Sequence, residues 1–350
     1  MQLSWDTVDF NISAPILTHK GMRPRLLQQL VVRLEWQGLH GLGLAVPAPD
    51  YGTSLESLAQ ALGRCVPLLR GRCPDQLEAI LRDLPVQDQA SAMAAIDMAL
   101  HDLLGQRAGL GVHALLGLGA LALPPTFASI GIVAPDVAAR ETQALAQWSC
   151  IKLKMGSVPD FARVETVRAL HGGLLAVDAN GAWTAQQALE VVAELARIGV
   201  DLVEQPVARG ERAGLRLVRE RAAMPILADE DCAGVDDILA LHGCVDGINI
   251  KLLKCGGIRN AHKMIVLARQ LGMKVMLGCK AESTIGVTAM AQLGGLADWL
   301  DLDGHLLLSN DPYAGVLVEN GRVSLPAGPG LGLQRRAAIR PAPEPILEQS

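Results

Sequence analysis

The sequence predicts a (β/α)-barrel preceded by an α+β unit, and three observations carry that prediction. Seven polar residues each close a short apolar run in the second half of the chain. They are Lys154 (CIKLKMG), Asp178 (LLAVDAN), Glu204 (DLVEQP), Asp229 (PILADED), Lys251 (GINIKLLKCGG), Glu282 (KVMLGCKAES) and Asp301 (ADWLDLD). The steps between neighbours are 24, 26, 25, 22, 31 and 19 residues. Each step has about the length of one strand plus one helix, and such a repeat gathers the C-terminal strand ends at one mouth. Before about residue 120 the text instead runs strands first and helices after, the order of a separate α+β layer.

In chain order, VDFNI, LLQQLVVRLEW and LHGLGLAV read as short strands with glycine-rich turns, and the Gly38, Gly41 and Gly43 cluster reads as hairpin chemistry. SLESLAQALGRCVPLL, PDQLEAILRDL and ASAMAAIDMALHDLLGQ carry helical spacing, with Ala95, Met98, Ala99 and Leu103 on one face. Gly117-Leu118-Gly119 with Ala122 nearly spells a dinucleotide fingerprint, but it follows a helix where that motif needs a strand. Barrel strands are expected at TFASIGIV, SCIKLKM, GLLAVDA, DLVEQ, MPILADE, GINIK, KVMLGC and DWLDLD. Their near-continuous apolar character suits parallel strands buried on both faces. TAQQALEVVAELARIG and IRNAHKMIVLARQLG are intervening helices, each closing on a glycine. After Asp311 come loops and short extended pieces, expected to return over the first unit, and the proline- and alanine-rich end is expected to fray.

Composition narrows the function classes. Half the residues are hydrophobic, 19% are charged and 3% are aromatic, which implies a large aliphatic core. A net charge of −5 without a basic run argues against nucleic acid. No apolar stretch reaches the roughly 18 residues needed to span a bilayer, and the start MQLSWDTVDF lacks a signal-peptide pattern. Seven cysteines without CxxC spacing favour neither disulfides nor zinc, so a reduced, cytoplasmic protein is expected.

Asp178, Glu204 and Asp229 end three consecutive predicted strands, so their carboxylates can meet. Singly, each could be a helix cap or an ion-pair partner. Together they repel, and a divalent cation relieves the repulsion; oxygen donors with no His or Cys beside them favour Mg²⁺. Lys154 and Lys251 flank this set in chain order, which puts them on opposite sides of a closed barrel. A lysine with its reference pKa of about 10.4 is a poor base at neutral pH, but burial and nearby cations lower that value. Lys152, two residues before Lys154 on the same strand face, is one such cation. Two opposed lysines suit removing a proton from one face of a carbon and returning it to the other, with Mg²⁺ stabilising the enediolate left between.

The series IKLKMG, VDAN, VEQP, ADED and INIKLLKCGG resembles the enolase superfamily, and within it the muconate-lactonizing subgroup. AAIDMALHD matches that family's capping-domain helix and LPAGPGLGL its C-terminal return. The resemblance implies a (β/α)7β TIM-like barrel over residues 121–309, with an α+β capping domain formed by residues 1–120 and the tail 310–350. It implies Asp178, Glu204 and Asp229 as Mg²⁺ ligands, Lys154 and Lys251 as the acid/base pair, and Lys152 as an auxiliary cation. No histidine closes the seventh strand, which ends in GCKAE, and this disfavours the mandelate-racemase branch. Asp301-Leu302-Asp303 sets two carboxylates on one face, a receptor for an ammonium group. That D-x-D resembles the dipeptide epimerases, which implies inversion at the C-terminal α-carbon of a dipeptide by a homo-oligomeric enzyme. The alternatives on this scaffold are o-succinylbenzoate synthase, N-acylamino-acid racemase and muconate cycloisomerase, whose substrates carry no ammonium. Three departures stand out: Asp229-Glu230-Asp231 where D-E-S is common, GLGLAV where G-W-G-E is common, and Cys279-Lys280-Ala281 where smaller or apolar residues are common. Asp231 is expected to add charge beside the metal. Lys280 and Glu282 are expected at the substrate. Lys280, with Lys20, Arg23 and Arg25, would favour an acidic C-terminal residue.

Overall fold

The computed structural model describes residues 1–13, 16–22, 24–119 and 122–336. The first layer is an antiparallel sheet of Gln2–Asn11, Leu26–Trp36 and Leu39–Ala45 with the longest strand in the middle. The first strand is longer than VDFNI suggested because every residue from Gln2 to Asn11 finds a partner between Glu35 and Leu26. Gln37 and Gly38 both take positive φ and make the two-residue turn of the following hairpin. Gly41 and Gly43 are not turn residues, contrary to expectation. They lie within the third strand, where an added Cβ would strike the carbonyls of Ala99 and Ala95. Glycine there lets the strand ride directly on the helix below.

That helix is α3 (Ala90–Ala108), which packs with α1 (Leu55–Leu69) and α2 (Leu77–Asp83). Ser54 starts α1 with a reciprocal side-chain cap to Ser57. Small buried residues such as Ala92, Ala95 and Ala99 let the sheet approach α3 closely.

Eight parallel strands follow in sequential order: Ala128–Ile130, Cys150–Lys154, Leu174–Asp178, Leu202–Glu204, Ile226–Ala228, Gly247–Ile250, Lys274–Gly278 and Trp299–Asp301. The eighth returns to the first through Phe127 N–H to Leu300 O at 2.9 Å and Leu302 N–H to Thr126 Oγ1 at 2.7 Å, which nearly closes the barrel. Helices alternate with the strands, and those over Ala185–Ile198 and Ile258–Gln270 reach left-handed Gly199 and Gly272 as expected. Phe127, Cys150, Ala176, Leu202, Leu227 and Met276 form an apolar plug in the barrel. Two residues further along their strands come Lys152, Asp178, Glu204 and Asp229. Strand side chains alternate, so these share the plug's inward face, one layer nearer the mouth.

Hydrogen bonds between side chain and main chain fasten the first layer to the barrel. Asp97 of α3 accepts from Ile258 N at 2.5 Å and Arg259 N at 3.4 Å, at the start of the helix that follows the sixth strand. Gln29 donates to Ala281 O and accepts from Ser283 N, both at 3.0 Å, which holds the loop after the seventh strand. The tail comes back onto α3 and the turn that follows it: Leu331 N donates to Asp102 Oδ1 at 2.8 Å and Val112 N to Gly330 O at 2.9 Å. The proline- and alanine-rich end expected to fray falls within residues 337–350, which lie outside the described residues, as does Arg23. The cysteines are free. No helix among the described residues is long and apolar enough to cross a membrane.

Candidate active site

The barrel mouth opens into a cavity of about 650 Å³ whose walls include Lys154, Asp229, Lys251, Lys280, Asp301 and Asp303. Its roof is the capping layer, with Lys20 from a small hairpin and Asp50 and Tyr51 from the loop after the sheet. Lys152, Asp178 and Glu204 lie under its floor, each with no exposed surface.

The floor is a lattice of opposite charges. Lys152 Nζ lies 2.5 Å from Asp301 Oδ2, 3.1 Å from Glu204 Oε2 and 3.9 Å from Asp178 Oδ2. Lys154 Nζ donates to Asp178 Oδ2 and Lys251 Nζ to Asp229 Oδ2, both at 2.6 Å. Strand register sets Asp178 between Lys154 and Glu204 as direct neighbours. Burial alone would raise Asp178, yet the Lys154 and Lys152 ammonium groups hold it below the usual carboxylate value. Asp229 is likewise held well below its ordinary value, against its burial, by Lys251 and Lys254. Burial, reinforced by the charge of Asp178, pushes Glu204 up to about 7.

Among the described residues, no three acidic, His or Cys side chains converge closely enough to hold a metal as they stand. The lysine ammonium groups stand between the carboxylates. The donor set still fits a hard cation: three carboxylates on adjacent strand ends, no nitrogen or sulfur donor among them, and in Glu204 a negative charge its neighbours leave under-compensated. Asp178, Glu204 and Asp229 are the residues that could hold such a cation.

Lys254 escaped the sequence analysis. Its buried ammonium donates to Asp229 Oδ1 and Asp229 O at 2.6 Å and to Asn249 O at 3.0 Å. The K-L-L-K spacing on a helical turn was the available signal, because residues three apart share a face. Asn249 Nδ2 donates to Glu204 Oε1 at 2.8 Å, and Asn180 N donates to Asp178 Oδ1 at 2.9 Å. Gln205 Oε1 accepts from Asp229 N at 2.9 Å. Asn180 and Gln205 both take positive φ, which the Asn180-Gly181 pair signals in the sequence and Gln205 does not.

The remaining expected residues divide. Asp301 keeps Oδ2 on Lys152, while its Oδ1 is buried with no hydrogen-bond partner. Asp303 sits at the start of a short 3₁₀ turn but does not cap it; Oδ2 accepts from Ser129 N at 2.8 Å across the barrel seam. Asp231 points its carboxylate at the neighbouring loop. Its carboxylate is turned to Gln205 Nε2 at 2.6 Å and Gly210 N at 2.8 Å. Glu282 is buried behind the wall beside Gly286 and does not line the cavity, and burial pushes its carboxyl up to about 8. Lys20 lines the roof but is paired with Glu230 at 2.8 Å, and Arg25 is exposed outside the cavity.

Family models cover most of the chain: the N-terminal domain of mandelate racemase/muconate lactonizing enzymes matches residues 12–117, and the enolase C-terminal domain-like model matches residues 136–339. The L-Ala-D/L-Glu epimerase of Bacteroides thetaiotaomicron is 38% identical over 309 residues, covering 87% of this chain and 80% of that one. The hydrophobic dipeptide epimerase of Roseobacter litoralis is 35% identical, covering 95% and 98%. Among solved structures, the substrate-liganded L-Ala-D/L-Glu epimerase from Bacillus subtilis superposes with a TM-score of 0.91 at 28% identity, covering 97% of this chain and 99% of that one. The Enterococcus faecalis dipeptide epimerase, complexed with Mg and L-Leu-L-Tyr, gives 0.90 at 33% identity, covering 95% and 99%. The chain belongs to the mandelate racemase/muconate lactonizing enzyme family of the enolase superfamily, in the branch that holds the dipeptide epimerases.

Proposed function

We propose that this chain is a Mg²⁺-dependent dipeptide epimerase that inverts the α-carbon of the C-terminal residue, one lysine removing the α-proton from one face and a second lysine delivering a proton to the other. The single observation that carries the proposal is the pairing of opposed Lys154 and Lys251 in one cavity with the Asp301/Asp303 carboxylates on its wall. Asp178, Glu204 and Asp229 would hold Mg²⁺, which when bound offsets the negative charge that grows on the substrate carboxylate as the α-proton leaves. For one epimer Lys154 takes the α-proton and Lys251 delivers one to the opposite face; for the other epimer the roles exchange. Lys152, fully buried between Asp301 and Glu204, fixes both carboxylates. Asp301 Oδ1, buried without a partner, is an open acceptor for the N-terminal ammonium, and Asp303 supplies the second charge.

The relatives named as dipeptide epimerases, and the neighbour complexed with Mg and a dipeptide, support this reading. A lyase or an N-acylamino-acid racemase would leave the Asp301 acceptor without use. The test compares dipeptides with N-succinyl amino acids. Free dipeptides should epimerise, and Asp301→Asn should lower their kcat/KM by about 10- to 100-fold, the worth of a charge-assisted hydrogen bond of roughly 1.5–3 kcal/mol. Turnover of succinylated substrates that Asp301→Asn leaves intact would overturn the proposal.

A further inference from the structure

The two sets of carboxylates would anchor the two ends of a dipeptide, which leaves the wall between Lys251 and Asp301 to meet a side chain. The seventh strand forms that wall, since it pairs with the sixth on one edge and the eighth on the other. Lys280 leaves its end. The main chain there is pinned to the eighth-strand turn: Cys279 N donates to Asp301 O at 3.1 Å, and a Cβ on Gly304 would strike the Lys280 carbonyl. The Lys280 side chain then reaches the capping loop, with Nζ 5.4 Å from the Tyr51 ring centre and 3.7 Å from the Asp50 carboxylate.

This corner is short of negative charge. Asp50 is shared with Lys20, which lies closer to it at 3.4 Å. Arg209 lies 5.3 Å from the same Tyr51 ring. Among the described residues the only anionic partner of the Lys280 ammonium is Asp50, at a distance too long for a hydrogen bond. Burial, together with repulsion from Lys251, weakens its hold on the proton. A half-buried ammonium so poorly matched gains more from an incoming anion than Lys20 does, which already sits 2.8 Å from Glu230.

We infer that Lys280, backed by Tyr51, reads the side chain of the N-terminal residue and selects dipeptides that carry a carboxylate there. The inference rests on the dipeptide epimerase reading, and it moves Lys280 away from the C-terminal side chain expected from sequence. The reacting α-carbon belongs between Lys154 and Lys251, whereas the Lys280 main chain is pinned to the turn after the eighth strand, beside the Asp301/Asp303 pair that would hold the N-terminal ammonium, and its side chain runs from there to the capping loop.

The test uses the whole chain with Mg²⁺ and follows deuterium entry at the C-terminal residue for L-Glu-L-Ala, L-Leu-L-Ala and L-Lys-L-Ala. The wild type should favour L-Glu-L-Ala over L-Leu-L-Ala by about tenfold or more in kcat/KM, the value of one moderate ionic contact. Lys280→Met should erase that ratio, Lys280→Glu should shift it toward L-Lys-L-Ala, and Lys280→Arg should keep it even if the reversed charge prevents folding. The ratio between L-Ala-L-Glu and L-Ala-L-Leu should not follow these changes. An even wild-type response to the three N-terminal residues, or a Lys280→Met effect confined to the C-terminal ratio, would overturn the inference while the epimerase reading stood. Absence of turnover on every dipeptide would overturn that reading and the inference with it.

Discussion

Asp97 links the capping layer to the barrel, and Asp97→Asn measures the strength of that link. The carboxylate is fully buried and accepts from Ile258 N at 2.5 Å and from Arg259 N at 3.4 Å, at the N-terminus of the helix behind Lys251. It also lies 3.5 Å from His101 Nδ1, one turn along α3. Asparagine keeps the volume and one acceptor but removes the charge and turns the second acceptor into a donor. A charge-assisted hydrogen bond contributes roughly 1.5–3 kcal/mol, and a negative charge at a helix N-terminus about 0.3–1 kcal/mol. The expected loss is therefore about 2–4 kcal/mol. Its pH dependence has a definite sign. Burial pulls His101 down, but Asp97 overrides it and holds the imidazole above its ordinary value. A group raised on folding stabilises fully below its unfolded pKa of about 6.5, and that share is lost as pH rises through the folded value. Urea unfolding followed by circular dichroism should show the variant penalty largest near pH 5.5 and smaller at pH 9. A variant within about 0.5 kcal/mol of wild type at every pH, a surface-substitution result, would refute the linkage, as would a penalty that grows with pH.

Gly43→Ala should destabilise the chain by about 1–3 kcal/mol or abolish soluble expression, because its methyl group would strike the Ala95 carbonyl of α3; calorimetry showing an unchanged Tm would contradict the close approach. Burial pushes His305 down to about 4, so it stays neutral in the folded chain where an unfolded histidine would charge. That shift costs nothing above pH 6.5 and about 2 kcal/mol of stability at pH 5, and His305→Gln should flatten the acid limb of the stability profile between pH 6.5 and 4.

The barrel was legible because buried parallel strands must be apolar throughout, so a charge that closes each run marks the strand end. Lys154, Asp178, Glu204, Asp229, Lys251 and Asp301 all converge at the mouth for that reason. What the sequence concealed depends on directions that a strand period does not encode. Asp231 shares a loop with Asp229 yet faces Gln205 and Gly210. Glu282 lies four residues past its strand and turns behind the wall instead of into the cavity. Lys254 was hidden by its resemblance to a surface lysine on a short helix, although it is the cation that touches Asp229 at two atoms. Gly41 and Gly43 read as turn residues because a turn and a close backbone approach both call for glycine.

The most direct test of two-base proton transfer is α-proton exchange in D₂O by the wild type, Lys154→Ala and Lys251→Ala, each supplied separately with the two epimers of a turned-over dipeptide. The wild type should place one deuteron at the C-terminal α-carbon as it inverts. Each variant should fail to epimerise, and each should still exchange the α-proton of one epimer, the opposite one in the two variants. Inversion without deuterium, or epimerisation at the wild-type rate by both variants, would contradict the account.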